Sequence, residues 1–210
     1  MAKATVDRPA GRDDAEPRRL TPQGIERKQQ LLESATELFA ERGYAETRVL
    51  DIVRRAGVAK GLFYWYFENK EALFAELVRS MRLRLRVAQE AALDPEADPL
   101  QRIRQGTEAS VRFMAQHRAF FALLEVEQRA DGLAGLLREG TDVHTADTAL
   151  LVKEAQAAGQ VPEDRDPQLL ALGIVGAVAH FSHFQRSGRI EMDVDALARF
   201  VGDWVTAAIS

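Results

Sequence analysis

Cysteine is absent from the 210 residues, which excludes disulfides and thiolate metal sites and fits a reducing cytosol. No uninterrupted apolar run approaches the ~20 residues that a membrane span needs. The N-terminus also lacks the apolar core of a signal peptide, so the reading expects a cytoplasmic protein that makes no use of a membrane. Strand-type alternation is missing throughout, as is any repeat period of about 20–50 residues. Phosphate-binding loops, dinucleotide glycine patterns, zinc-protease motifs and nucleophile elbows are missing too. The expectation is a protein with no cofactor, no metal and no catalytic set, and so not an enzyme.

Aromatics are scarce, and their placement is uneven. Of fifteen in the chain, five are consecutive: Phe63, Tyr64, Trp65, Tyr66 and Phe67. Charge is close to balanced, with a net −4, but residues 1–70 carry 13 Lys/Arg against 11 Asp/Glu while residues 71–210 carry 15 against 21. That mild split permits a basic patch near the N-terminal end without demanding one.

Helix formers dominate, and the pattern predicts an all-α chain of about nine helices. Residues 1–20 mix charges with Pro and Gly and read as a disordered arm, in which Arg18 and Arg19 are candidate phosphate contacts. Thr21 and Pro22 then open a helix over 22–42, with Leu31, Leu32, Ala35, Leu38 and Phe39 as its buried stripe. Gly43 ends it. A short helix follows, with Thr47 as N-cap and Val49, Ile52, Val53 and Ala56 inward. Gly57 stops that helix, and a third carries the aromatic run, which together describe a helix-turn-helix. Asn69 caps a long fourth helix over 70–92. Further helices are placed near 98–116, 118–130, 133–158, 167–187 and 194–209. The expected domains are an arm (1–20), a helix-turn-helix head (21–69) and a helical body (70–210).

At 100° per residue, Phe63 and Phe67 point one way and make the natural core stripe. Gly61, Leu62 and Trp65 point broadly opposite, with Tyr64 and Tyr66 on the flanks. Large exposed aromatic patches are uncommon without a partner. A DNA duplex is one candidate: phenols donate to phosphates, and an indole or Leu packs on a thymine methyl. Lys60 and Lys70 bracket the segment, and Arg48, Arg54 and Arg55 lie nearby. Packing of this surface on the chain's own C-terminal region is the other.

Several spaced motifs in "LLESATELFAERGYAETRVLDIVRRAGVAKGLFYWYFENKEALF" decide between them: Leu38-Phe39 with Gly43-Tyr44, Asp51-Ile52, Ala56-Gly57-Val58, Lys60-Gly61, Tyr64, Phe67 and Lys70-Glu71-Ala72-Leu73. In order and spacing this quarter of the chain resembles the DNA-binding domain of the tetracycline-repressor-like (TetR) family of transcription regulators. The resemblance implies that residues 60–66 are the recognition helix, with Gly61, Leu62 and Trp65 facing bases and Tyr64, Tyr66 and Lys70 holding phosphates. It further implies a homodimer on a palindrome-like double-stranded operator, acting as a repressor released by a small-molecule effector. Three positions depart from the family's habit of Ser or Thr. Ala59 removes a hydroxyl cap, Leu62 replaces a polar base contact by an apolar one, and Arg48 would grip phosphate by charge. The alternative is a helical ligand- or partner-binding protein whose head reads no specific DNA.

In the body, "PQLLALGIVGAVAHFSHFQ" is apolar over much of its circumference, with Gly173, Gly176, Ala177 and His180 allowing close helix approach. The last helix presents Leu197, Phe200, Val201, Trp204, Val205 and Ala208. Two such helices per chain could form a four-helix dimer interface. A largely apolar effector pocket is expected from Phe113, His117, Phe121, Leu124, His144, His180 and Phe184, with Met114, Phe120, Gln128 and Asp147 nearby. His180 and His183 stand at the i, i+3 spacing that can share a metal, although packing is the commoner role for such a pair.

Overall fold

The computed structural model describes residues 21–127 and 134–210, with side chains described outside 126–141. The expected arm at 1–20 and Gln128 lie outside the described residues. Nine α-helices and no strand are present among the described residues: α1 (Pro22–Arg42), α2 (Val49–Arg55), α3 (Lys60–Tyr66), α4 (Lys70–Ala92), α5 (Pro99–Gln116), α6 (Arg118–Glu127), α7 (Ala134–Ala157), α8 (Pro167–Arg186) and α9 (Val194–Ile209).

Local chemistry sets most of these boundaries. The Thr21 hydroxyl accepts from the Gly24 N–H at 3.1 Å, and the Asn69 side chain accepts from Ala72 at 2.7 Å. Asp98, Asp166 and Asp193 cap α5, α8 and α9 in the same way, each satisfying a backbone donor that the helix leaves open. Gly43 follows α1 at φ 84°, ψ 161°, a combination open to glycine but outside the left-handed helical well.

One expected cap is corrected. Thr47 does not cap α2; it is fully buried, and its hydroxyl donates to the carbonyls of Gly43 at 2.8 Å and Leu38 at 3.3 Å. Arg48 takes the cap position, and the Asp51 carboxylate accepts its backbone N–H at 3.1 Å. An Arg side chain has no acceptor, so only this half of a capping box is chemically possible.

Two hydrophobic clusters organise the fold. The first unites α1–α3 with α4 through Leu31, Leu38, Phe39, Ile52, Phe63, Leu73, Phe74 and Leu77, and continues into Phe113, Phe120 and Leu123 of α5 and α6. Phe39, Tyr44 and Phe74 form a mutually tilted aromatic triad with centroids 5.2–5.9 Å apart. The second joins α5, α7, α8 and α9 around Val111, Val152, Ile174, Val178, Leu197, Val201 and Val205. Gly202 explains how tightly α9 lies on α5: a Cβ there would meet Glu108 Cγ at 3.0 Å and Arg104 Cγ at 3.1 Å. Arg104–Asp203 and Arg112–Asp195 pairs at 2.8 and 2.6 Å flank that contact.

α8 differs from expectation. It has the length and mean hydropathy, 1.2, of a membrane-crossing helix, because interspersed Ala and Gly keep its average apolar where no unbroken run is present. Its Ala171, Ile174, Val178 and Ser182 pack inward, while Leu169 and Leu172 are exposed. On α9, Leu197, Val201 and Val205 belong to the internal core. Only Phe200 and Trp204 of the large residues expected on its outer face are exposed, each 47 %.

Candidate nucleic-acid interface and effector cavity

α3 is fixed to its domain by Phe63 and Phe67, 0 % and 4 % exposed. Gly57, at φ +65°, makes the turn from α2, and Val58 packs against the core while its N–H donates to the Val53 carbonyl at 3.0 Å. Burying both Phe rings on one side leaves the opposite side outward. Tyr64 and Trp65 are 51 % and 52 % exposed, Gly61 is exposed and Leu62 half-buried beside them. A Cβ on Gly61 would touch nothing within 4 Å, so packing among the described residues does not require glycine there. The Lys60 ammonium lies 5.8 Å from the centroid of the Tyr64 ring. Arg48 and Arg54 are exposed. Arg55 turns away, held by the two Glu41 oxygens at 2.6 and 2.8 Å, which holds the Glu41 carboxyl below its ordinary pKa.

Two of the expected phosphate contacts, Tyr66 and Lys70, are half-buried and hydrogen-bonded within the protein. The Tyr66 hydroxyl donates its one proton to the Gly24 carbonyl of α1 at 2.7 Å, and its ring meets Trp65 edge to face at 4.6 Å. Tyr66 therefore orients Trp65 and ties α3 to α1. The Lys70 ammonium donates to the carbonyls of Tyr44 at 2.5 Å, Thr47 at 2.7 Å and Ala45 at 3.3 Å, and sits 4.2 Å from the Tyr44 ring centroid. It closes the loop between α1 and α2. Sequence spacing could not reveal this, because each contact spans more than twenty residues.

Among the described residues, the seven expected effector residues lie in different surroundings. Phe113 belongs to the first hydrophobic cluster, and Phe121 and Leu124 pack on it. His117 lines a cleft against α1 and α4, 3.4 Å from Arg84; burial and that cation depress its pKa. His180 is exposed on α8, edge to face with Phe184 at 4.5 Å. The nearby His183 bonds Glu125 at 2.8 Å. No group of three His, Asp or Glu suited to a metal is present among the described residues.

Among the described residues, His144 lines a cavity within the body. A crevice of about 40 Å³ between α4, α5, α7 and α8 shares Gln89, Gly106, His144, Thr148 and Leu151 with an outer cleft of about 260 Å³. Burial pushes the His144 imidazole below its ordinary pKa, opposed by Asp147 and reinforced by Arg82. Gln89 donates to the Ser110 hydroxyl at 2.9 Å. The missed residues had a signal: Gly106, Thr107 and Ser110 put small or polar groups on the buried face of α5.

Residues 31–77 match the family described as bacterial regulatory proteins, tetR family. The transcriptional regulator AcuR of Cereibacter sphaeroides is 32 % identical over 177 residues, spanning 77 % of this chain and 81 % of AcuR. A TetR-like transcriptional regulator from Rhodococcus sp. RHA1 superposes with a TM-score of 0.69 at 27 % identity, over 87 % of this chain and 94 % of its own. FadR from Bacillus subtilis, solved with stearoyl-CoA, shares the fold with a TM-score of 0.76 at 22 % identity, over 87 % and 99 %. The likeness to AcuR runs far past the head into the body helices, so the whole chain, and not the helix-turn-helix alone, belongs to the tetR family of bacterial regulatory proteins and is a DNA-binding transcriptional regulator.

Proposed function

We propose that the protein is a cytoplasmic, homodimeric repressor that leaves a palindrome-like operator when a small, largely apolar molecule binds its body. It is a regulator and not an enzyme. The observation that carries the reading is the outward face of α3, where Trp65 and Tyr64 are half exposed beside a glycine that the protein's own packing does not require. Gly61, Leu62 and Trp65 face base edges in the major groove, while Tyr64, Lys60 and Arg48 hold phosphates. Tyr66 and Lys70 buttress this surface from behind. Leu62 and Trp65 favour thymine methyls over hydrogen-bonded readout.

The α8–α9 face is the dimer interface. Leu169, Leu172, Phe200 and Trp204 are exposed there, and Gly173 and Gly176 have open space at their Cβ positions, which permits close approach of a second α8. The division into a head (21–69) and a body (70–210) is functional. α4 lies in the head's core while its Gln89 lines the cavity, so a ligand beside His144 can bias head spacing through α4. The size of that shift is limited by the ligand's differential affinity for the two states.

Selection of bound duplexes from a random pool, followed by titration of the winner, tests the proposal. The expected result is a two-fold-symmetric site bound by two chains, with affinity falling steeply as salt rises. Enrichment of no sequence would refute specific readout and favour a head that reads no DNA.

A further inference from the structure

A second cleft, of about 650 Å³, lies away from the His144 cavity, between the end of α1, α6 and the end of α8. Its walls are apolar on one side, with Phe39, Ala40, Ala119, Ala122 and Leu123, and cationic on the other, with Arg42, Arg118 and Arg186. Among the described residues, no carboxylate lines it. Arg186 has an 8 % exposed side chain. Among the described residues its carboxylate partner is Glu125, which also serves His183, and its buried Nε and Nη1 have no acceptor. A guanidinium presents five N–H donors, and leaving buried ones unmet is costly. Burial, with Arg118 adding like charge, depresses the Arg186 pKa, so the site holds positive charge at a cost that an anion would relieve.

We propose that this cleft binds a small amphipathic organic anion, with a carboxylate or phosphate head on Arg186 and Arg118 and a hydrocarbon body against Phe39, Ala122 and Leu123. Arg–oxyanion pairs are bidentate and charge-assisted, and the apolar wall excludes water from the rest of the ligand. Because Phe39 and Arg42 belong to the head's first helix while α6 and α8 belong to the body, the bound anion bridges the two. It would act as a regulatory ligand independent of the His144 cavity. Binding itself does not depend on how the head reads DNA.

Isothermal titration of the full-length protein with octanoate, octyl phosphate, octanol, acetate and inorganic phosphate tests the site. Octanoate or octyl phosphate should bind saturably, one per chain, while octanol and the headless or tailless probes bind at least about tenfold more weakly. Arg118→Ala changes an exposed residue and leaves folding intact; it should weaken the amphipathic anion about tenfold. Ala122→Trp, checked for an unchanged circular dichroism spectrum, should obstruct the apolar wall and abolish binding, whereas Gly106→Leu in the other cavity should leave it unchanged. Failure of both amphipathic anions to bind, equal binding of octanol, or octanoate affinity unmoved by Arg118→Ala and Ala122→Trp would each overturn the assignment. Loss of binding in Gly106→Leu alone would move the ligand to the His144 cavity and overturn it equally.

Discussion

Lys70 offers the sharpest test of how the head is built, since the two roles open to it predict opposite results. Its ammonium contacts three loop carbonyls and one aromatic face, all within residues 44–47. A hydrogen bond from a charged donor contributes about 1.5–3 kcal/mol, and an exposed cation–π contact about 0.5–1 kcal/mol. These contacts share one ammonium and are not additive. Lys70→Met keeps much of the aliphatic stem and should cost about 2–3 kcal/mol. For a chain of this size that is a fall of roughly 4–12 °C in Tm. Thermal melts followed by circular dichroism read the first effect. Operator titrations at several salt concentrations, at a temperature where both proteins are folded, read the second. If the ammonium holds the loop, Tm falls and the slope of log K against log salt is unchanged. Arg48→Met, by contrast, should leave Tm alone and reduce that slope by about 0.9, the value for one phosphate. A Lys70→Met protein that melts with wild type but loses one phosphate's worth of salt slope would refute the inward assignment.

Four other outcomes follow from the same geometry. Trp65→Ala should leave Tm within about 1 °C, since half the indole is already exposed, yet lower discrimination between operator and point-mutated operators by about 1–3 kcal/mol per thymine position; a uniform loss on every sequence would deny it a base-reading role. Gly202→Ala should destabilise the fold by about 1–3 kcal/mol, because its Cβ would land 3.0 Å from Glu108 in a packed interface; an unchanged melt would show that α5 and α9 can separate. Gly176→Leu has open space within the chain, so it should leave the monomer folded but weaken the dimer in sedimentation equilibrium, and an unaltered dimer would move the interface off α8. His144 has a folded pKa below its unfolded one, so the unfolded chain binds the proton more readily. Its neutral form therefore contributes stability above about pH 6.5 that is lost as pH falls below that value. Denaturant unfolding of His144→Gln should show a shallower loss of stability from pH 7 to 5 than wild type, and an identical pH profile would place the acid sensitivity elsewhere.

The helices were legible because their signals are local. Thr21, Gly43, Gly57 and Asn69 mark ends within a few residues of themselves, and the split between Phe63/Phe67 and Tyr64/Trp65 follows from rotation about one helix. Thr47 shows the limit of even local reasoning: its hydroxyl had two uses within reach, and burial of the side chain selected the carbonyls of Leu38 and Gly43 over a cap. Tyr66 and Lys70 have contacts that were hidden for a different reason. A helical wheel gives the direction in which a side chain leaves its own axis but not what lies beyond, and the acceptors were on α1 and its following loop. The effector set was the least legible part, since Phe113, His144 and His180 lie on different helices in different surroundings. Only the packing of α4, α5, α7 and α8 decides that one of the three meets a cavity.

The two clefts also bear on how a signal would reach DNA. The His144 cavity reaches the head through α4, which shares the first hydrophobic cluster through Leu73, Phe74, Leu77 and Met81. The arginine-lined cleft touches it directly through Phe39, which packs on both Tyr44 and Phe74. Tyr44 in turn lies under the Lys70 ammonium. A ligand in either cleft would therefore act on one aromatic triad, which packs beside the loop between α1 and α2. Coupling through a shared packed unit should be reciprocal: any ligand that lowers operator affinity n-fold must itself be bound n-fold more weakly by the operator complex. Phe74→Leu should loosen that unit, reducing the ligand-induced change in operator affinity by about 0.5–2 kcal/mol while each ligand still binds its own cleft. Titration of operator with and without ligand in this variant measures that difference. Full coupling with the triad broken would mean that the head responds as a rigid body to α4 alone.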